Sequence, residues 1–145
     1  MTVHKTKILV VGSGFAGIKT ALELADNPAF EVALIAEESD FRYYPALYHT
    51  ATGGRATASS IPLTEIFKNK NVEIIKGRAV TIDRQKKTLG LAGKKSVGYD
   101  RLVIALGVIT NYFGIKGLDK YSYGIKSQAE ASQLRDHIHK QLLDE

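Results

Sequence analysis

Apolar positions in this chain fall into short runs closed by turn signals, and their period changes along the sequence. Ile8-Leu9-Val10-Val11 is apolar without interruption, and three of its four residues are β-branched. Such a run, bounded by glycine, predicts a strand covered on both faces, as in a parallel sheet. A helical period follows, with Ile18, Leu22 and Ala25 on one face, and Asp26-Asn27-Pro28 stops it. Residues 31–36 and 72–76 predict two further parallel strands. Between them, Ser60 is read as the N-cap of a short helix. Pro62 then falls in its first turn, and Leu63, Ile66 and Phe67 form its buried face. The period then drops to two. Residues 79–82, 87–91 and 96–99 predict three short strands joined by turns at 83–86 and 92–95, a small antiparallel meander. Residues 99–107 return to a buried parallel strand that ends in the small residues Ala105 and Gly107. Ser127-Gln128-Ala129-Glu130 is a capping box, and Ala131, Leu134, Ile138 and Leu142 make one face of a helix running to the C-terminus.

The turn after the first strand carries chemistry. Gly12-Ser13-Gly14-Phe15-Ala16-Gly17 has the spacing G-x-G-x-x-G between a strand and a helix. Gly12 suits a tight turn, Gly14 lets a pyrophosphate approach bare backbone, and Gly17 lets helix and strand close up. The helix N-terminus adds a partial positive charge. Glu37 stands at the end of the second strand, twenty residues past Gly17, where a carboxylate can accept hydrogen bonds from ribose hydroxyls. That carboxylate would repel a 2′-phosphate, so NADP is the least expected ligand, while FAD and NAD are not separated. Small residues at Ala105 and Gly107, at a carboxyl edge, would admit a nucleotide. The fold class is therefore α/β: a Rossmann-like parallel sheet with a βαβ unit and an inserted antiparallel meander.

Composition narrows this picture. At 145 residues and 44% hydrophobic, the chain is one domain with enough length for a core. A chain of this size buries about 70% of its unfolded surface. There are no cysteines, which excludes a disulfide framework, a thiolate metal site and a Cys redox pair; no metal site is expected. The net charge is +5, with basic residues scattered or paired as Lys86-Lys87 and Lys94-Lys95. Solvated faces account for most of them; anionic lipid or a phosphate-rich cofactor is the second reading. No nucleic-acid signature is present. No leader and no apolar run of the ~20 residues a membrane span needs are found, so a cytoplasmic location is expected by default. Residues 39–54 are aromatic-rich without a clean period, read as a loop or a short helix between loops, whose rings cover a sheet edge or wall a flat ligand. Within it His49 is the one acid–base candidate and Arg42 a candidate for the pyrophosphate; no catalytic residue is assigned. Asp144-Glu145 would oppose the last helix's dipole, so the chain is expected to be a piece of a longer one.

Three motifs in order carry a resemblance. They are Gly12-Ser13-Gly14-Phe15-Ala16-Gly17, the loop Phe41-Arg42-Tyr43-Tyr44-Pro45-Ala46-Leu47-Tyr48-His49-Thr50-Ala51-Thr52-Gly53, and Tyr99-Asp100 before Leu102-Val103-Ile104-Ala105-Leu106-Gly107. With Asn111-Tyr112-Phe113-Gly114-Ile115 and Gly117, the whole chain resembles the N-terminal FAD-binding part of the pyridine nucleotide-disulfide oxidoreductase superfamily. Within it the chain is most similar to type II NADH dehydrogenases, single-subunit NADH:quinone oxidoreductases. The resemblance implies that residues 1–145 form an FAD-binding domain, with Gly12 to Ala16 at the pyrophosphate and Glu37 and Glu38 at the adenosine ribose. It further implies Pro45 and Ala46 near the flavin, Val80 meeting the adenine through its backbone, and Ala105 and Gly107 along the middle of the cofactor. NADH would bind a domain absent from this chain, and quinone would be reduced at the inner face of the cell membrane. Peripheral contact there would come through a missing C-terminal region, and a homodimer is among the expectations. Two departures stand out: Leu106 where the wider superfamily has Thr, and no second G-x-G-x-x-G. The rival readings are another flavin reductase of the superfamily, sulfide:quinone or apoptosis-inducing-factor-like, and a non-catalytic dinucleotide-binding module.

Overall fold

A computed structural model of the chain describes residues 5–55, 59–93 and 95–143. In order, the elements are β1 (Thr6–Val11), α1 (Phe15–Ala25), β2 (Phe30–Ala36), β3 (Asp40–Arg42), a 3-10 turn (Tyr44–Ala46), α2 (Leu47–Ala51), β4 (Ser60–Pro62) and α3 (Leu63–Ile66). They continue with β5 (Val72–Lys76), β6 (Ala79–Asp83), β7 (Thr88–Leu91), β8 (Ser96–Gly98), β9 (Arg101–Ile104), α4 (Leu118–Tyr121) and α5 (Gln128–Leu143). The chain divides into two compact units: residues 1–41 with 62–107, and residues 42–61 with 108–145.

The first unit is built on a parallel sheet in the order β5-β2-β1-β9. Its registers place Val10 beside both Leu34 and Val103, and Leu34 beside Ile74. The unbroken apolar run of β1 has a physical reason, because both of its faces are covered. Ile8, Val10, Val32 and Leu34 point to one face, where Ile18 and Ala21 of α1 pack with Phe41, Leu63 and Phe67. Leu9, Val11, Ala33 and Ile35 point to the other, where Leu89 and Leu91 of the meander pack. Burying each of these large aliphatic side chains stabilises by roughly 1.5–3 kcal/mol. The meander β6-β7-β8 is antiparallel as expected. Its first turn is held by Asp83, whose Oδ1 accepts the N–H groups of Gln85 and Lys86 at 3.0 and 2.9 Å.

Asp100 fixes the register of β9. Its Oδ2 accepts the Lys7 N–H at 2.7 Å, and its own N–H donates to the Lys7 carbonyl at 2.8 Å. The sequence motif Tyr99-Asp100 is thus a staple between the amino ends of β1 and β9.

In the second unit, α2 packs on α5 through Leu47, Ala51, Ala131 and Leu134. The capping box forms as the sequence predicts. The Glu130 N–H donates to Ser127 Oγ at 3.1 Å, and the Ser127 N–H donates to Glu130 Oε2 at 2.9 Å. Asn111 Oδ1 accepts the Phe113 N–H at 2.8 Å, closing a turn.

Five expectations are corrected. Ser60 does not cap α3; it lies in β4, which pairs with β3. Pro62 is the residue before the helix, and the Leu63 N–H donates to the Ser39 carbonyl at 3.0 Å instead of to a side-chain cap. Strand β9 is shorter than residues 99–107 and, among the described strands, lies at the edge of its sheet, with Ile104 57% exposed. The apolar face of α5 does not stay covered to its end, because Leu142 is 70% exposed. Lys87, expected inside a strand, sits in the turn before β7 with φ +49°. The two acids expected to end the last helix, and Lys94 in the second meander turn, lie outside the described residues.

The packing generates a paired prediction. Leu34→Ala, at a fully buried position, is expected to cost about 2–5 kcal/mol in urea unfolding. Leu142→Ala is expected to stay within about 0.5 kcal/mol.

Candidate functional site

The sheet order fixes where a ligand site can form. Strand β1 crosses through α1 to β2 on one side, and β9 joins β1 on the other. The connection order reverses at β1, and open α/β sheets bind ligands at the carboxyl ends of the strands at such a switch point. The glycine turn stands there.

Each glycine has a distinct geometry. Gly12 has φ +109°, and its N–H donates to the Ile35 carbonyl at 2.9 Å. A Cβ on Gly12 would come 2.3 Å from the Ala105 carbonyl oxygen, and one on Gly17 would come 1.8 Å from the Gly12 carbonyl oxygen. Backbone therefore touches backbone at both positions, locking β1, α1 and the segment after β9 together. A Cβ on Gly14 would meet nothing within 4 Å. Gly14 is the N-cap of α1 at φ −81° and ψ −174°, with no side-chain hydrogen bond capping the first turn. An uncovered backbone surface at a helix N-terminus is a cradle for an anion. Ser13 and Phe15 flank Gly14 in the chain, and the Phe15 ring meets Phe41 edge-on with centroids 4.9 Å apart.

The other predicted residues of this unit gather along the same carboxyl edge. Glu37 and Glu38 follow directly on β2. The Glu37 carboxylate lies 3.9 Å from the Arg78 guanidinium, and both are well exposed. Arg78 follows β5, where the Gly77 N–H donates to the Ala36 carbonyl at 2.9 Å. Sequence reasoning missed Arg78; its signal was a basic residue just past the end of a strand beside that of Glu37. Val80 sits at an irregularity in β6. Ala79 pairs with Leu91 and Thr81 with Gly90, so Val80 is the extra residue of a bulge. A bulged residue leaves its peptide outside the ladder, and the Val80 side chain is 56% exposed. The Ala105 N–H donates to the Val11 carbonyl at 2.8 Å, and Gly107 has φ +74° with open space around it.

Pro45, Ala46, Arg42 and His49 belong to the second unit. Pro45 and Ala46 form the 3-10 turn leading into α2. Arg42 Nη1 donates to Gln128 Oε1 at 3.1 Å. The His49 ring packs on Tyr48 with centroids 4.1 Å apart, and its carbonyl accepts the Gly54 N–H.

Residues 6–143 match the family model described as pyridine nucleotide-disulphide oxidoreductase. The chain belongs to this family. Among relatives of the pyridine nucleotide-disulphide oxidoreductases, a type II NADH:quinone oxidoreductase of Staphylococcus aureus is 28% identical over 142 residues. The match takes in 95% of this chain and 35% of that protein. The sulfide:quinone oxidoreductase of Aquifex aeolicus superposes with a TM-score of 0.85 at 29% identity, covering 95% of this chain and 32% of the other. NDH2 of Plasmodium falciparum, solved in complex with NADH, gives 0.78 at 26%, covering 95% and 30%. The chain thus spans about a third of the length of these relatives. The Rossmann-like α/β class read from the sequence is the fold observed.

The glycine geometry predicts opposite outcomes for one added carbon. Gly17→Ala is expected to cost about 3 kcal/mol or more in thermal or urea unfolding, because the clash is with backbone. Gly14→Ala is expected to stay within about 1 kcal/mol, the difference between the two residues as N-caps.

Proposed function

We propose that this chain is the FAD-binding portion of a flavin-dependent NADH:quinone oxidoreductase. The observation that carries the reading is the open backbone of Gly14 at the switch point, with Glu37 and the bulged Val80 on the same edge. The family membership and the similarity to type II NADH:quinone oxidoreductases over 95% of the chain support it.

In this reading the turn from Gly12 to Ala16 lies against the FAD pyrophosphate, which is held by the N–H groups at the start of α1 and by the α1 dipole, while Gly12 and Gly17 keep strand and helix close enough to form the turn. Glu37 accepts hydrogen bonds from the adenosine ribose, with Glu38 beside it, and Val80 offers its peptide to the adenine. Ala105 and Gly107 keep the middle of the cofactor close to backbone, and Pro45 and Ala46 stand on its flavin side. When bound, the flavin supplies hydride acceptance from NADH and electron delivery to quinone. These residues bind and orient it; none is assigned as an acid or base. NADH is held by a domain outside this chain, so the chain alone does not turn over NADH with quinone.

Work at the membrane's cytoplasmic face, peripheral contact through a further C-terminal region, and a homodimer belong to the same proposal. Among the described residues, no helix is long and apolar enough to cross a membrane. A second reading, a sulfide:quinone reductase, is favoured by the 0.85 superposition.

Protein incubated with FAD and then desalted is expected to keep flavin absorbance bands. Gly14→Val is expected to lower FAD affinity at least about tenfold while the protein stays folded. Glu37→Ala is expected to lower it about ten- to a hundredfold, the loss of hydrogen bonds to a charged acceptor. A folded protein that keeps no flavin would overturn the reading. In the whole protein, anaerobic bleaching of those bands by NADH supports the first reading, and bleaching by sulfide the second.

A further inference from the structure

The lysine pair Lys86-Lys87 is not used by the nucleotide site, and the fold gives it company. A recess of about 450 Å³ in the first unit has Lys5, Lys7, Glu31, Lys86, Lys87 and Asp100 in its lining. It lies by the amino ends of β1 and β2 and the entry to β9, whereas the glycine turn follows the carboxyl end of β1.

Four lysines and two acidic residues line this recess, a lining charge of +2. Both carboxylates are already engaged: Glu31 lies 3.9 Å from Lys7 Nζ, and Asp100 accepts the Lys7 N–H at 2.7 Å. Lys86 lies 3.9 Å from Asp83 outside the recess. Among the described residues neither Lys5 nor Lys87 has an ion-pair partner.

Lys87 is also conformationally unusual. Its φ of +49° is one that glycine or asparagine adopts at less cost. The fold imposes it: the Tyr99 N–H donates to the Lys87 carbonyl at 2.9 Å, and Thr88 pairs with Gly98 in the next step of the ladder. A lysine kept in a left-handed turn contributes nothing to the turn that asparagine would not; what it adds is a charge beside the recess.

We propose that this recess binds a phosphate-bearing anion through Lys5 and Lys87, with Lys7 and Lys86 adding to the field. Two sources share that chemistry, a soluble phosphate compound and a phospholipid headgroup. The proposal is independent of the flavin assignment, since no residue of the recess is placed at that site.

The test titrates inorganic phosphate into the isotopically labelled intact protein and follows backbone amides by NMR. Saturable shifts are expected at Lys87, Gly98, Tyr99 and Asp100, separable from any at Gly14 and Ala16. Lys87→Asn removes the charge and suits the turn; it is expected to weaken binding about fivefold, as is Lys5→Gln. Lys116→Gln, outside the recess, makes the same charge change and is expected to alter nothing. A second arm sediments the protein with phosphatidylcholine vesicles, with and without phosphatidylglycerol. Sedimentation that needs phosphatidylglycerol and is lost in the Lys5→Gln/Lys87→Asn double variant assigns the headgroup. Amide shifts without sedimentation assign the soluble compound. Absence of both, or equal loss in Lys116→Gln, overturns the proposal.

Discussion

Two missing side-chain carbons hold the carboxyl edge of the parallel sheet together. Gly17 lies so near the Gly12 carbonyl, and Gly12 so near the Ala105 carbonyl, that no other residue fits either place. The turn, the first helix and the segment after β9 can therefore approach as backbone. Dispersion and burial set the general stability of the sheet, but they would act equally on a sheet with a wider turn. Beside these close contacts Gly14 stays uncovered at the helix start.

The same sheet separates two kinds of chemistry along its strands. At the carboxyl edge stand a bare helix start, small residues, a bulge and the Glu37 carboxylate. At the amino end of β1 lie the lysines of the recess and the Asp100 staple. Strand polarity explains part of the contrast, since helix N-termini follow parallel strands at one edge alone. Sequence explains the rest, because the lysines come from the start of β1 and the residue before it and from a meander turn far along the chain.

Local pattern was enough where the deciding interactions are local. The uninterrupted run Ile8-Leu9-Val10-Val11 announced a strand covered on both faces, and helix α1 and the meander cover it. Ser127 and Glu130 announced a capping box and form one. Ser60 misled because its helix start is satisfied from a distance: the Ser39 carbonyl takes the Leu63 N–H, a bond that no local spacing encodes. Strands β3 and β4, three residues each, are too short to show a period. For the site, the spacing of Gly12, Gly14 and Gly17 carried the three geometries directly. The bulge at Val80 and the Glu37–Arg78 proximity depend on pairing register and strand order, which only coordinates supply. Pro45 and Ala46 rest on the family resemblance, with no geometric argument of their own.

Strand β9 has a practical consequence. It ends the order β5-β2-β1-β9, so among the described strands one side of it donates and accepts nothing. Ile104 and Leu106 on and after it are largely exposed. A bare parallel edge flanked by aliphatic side chains is a template onto which other extended chains can add. At high concentration copies of this polypeptide can associate along that border, and a charged or proline substitution there is one way to improve its solubility.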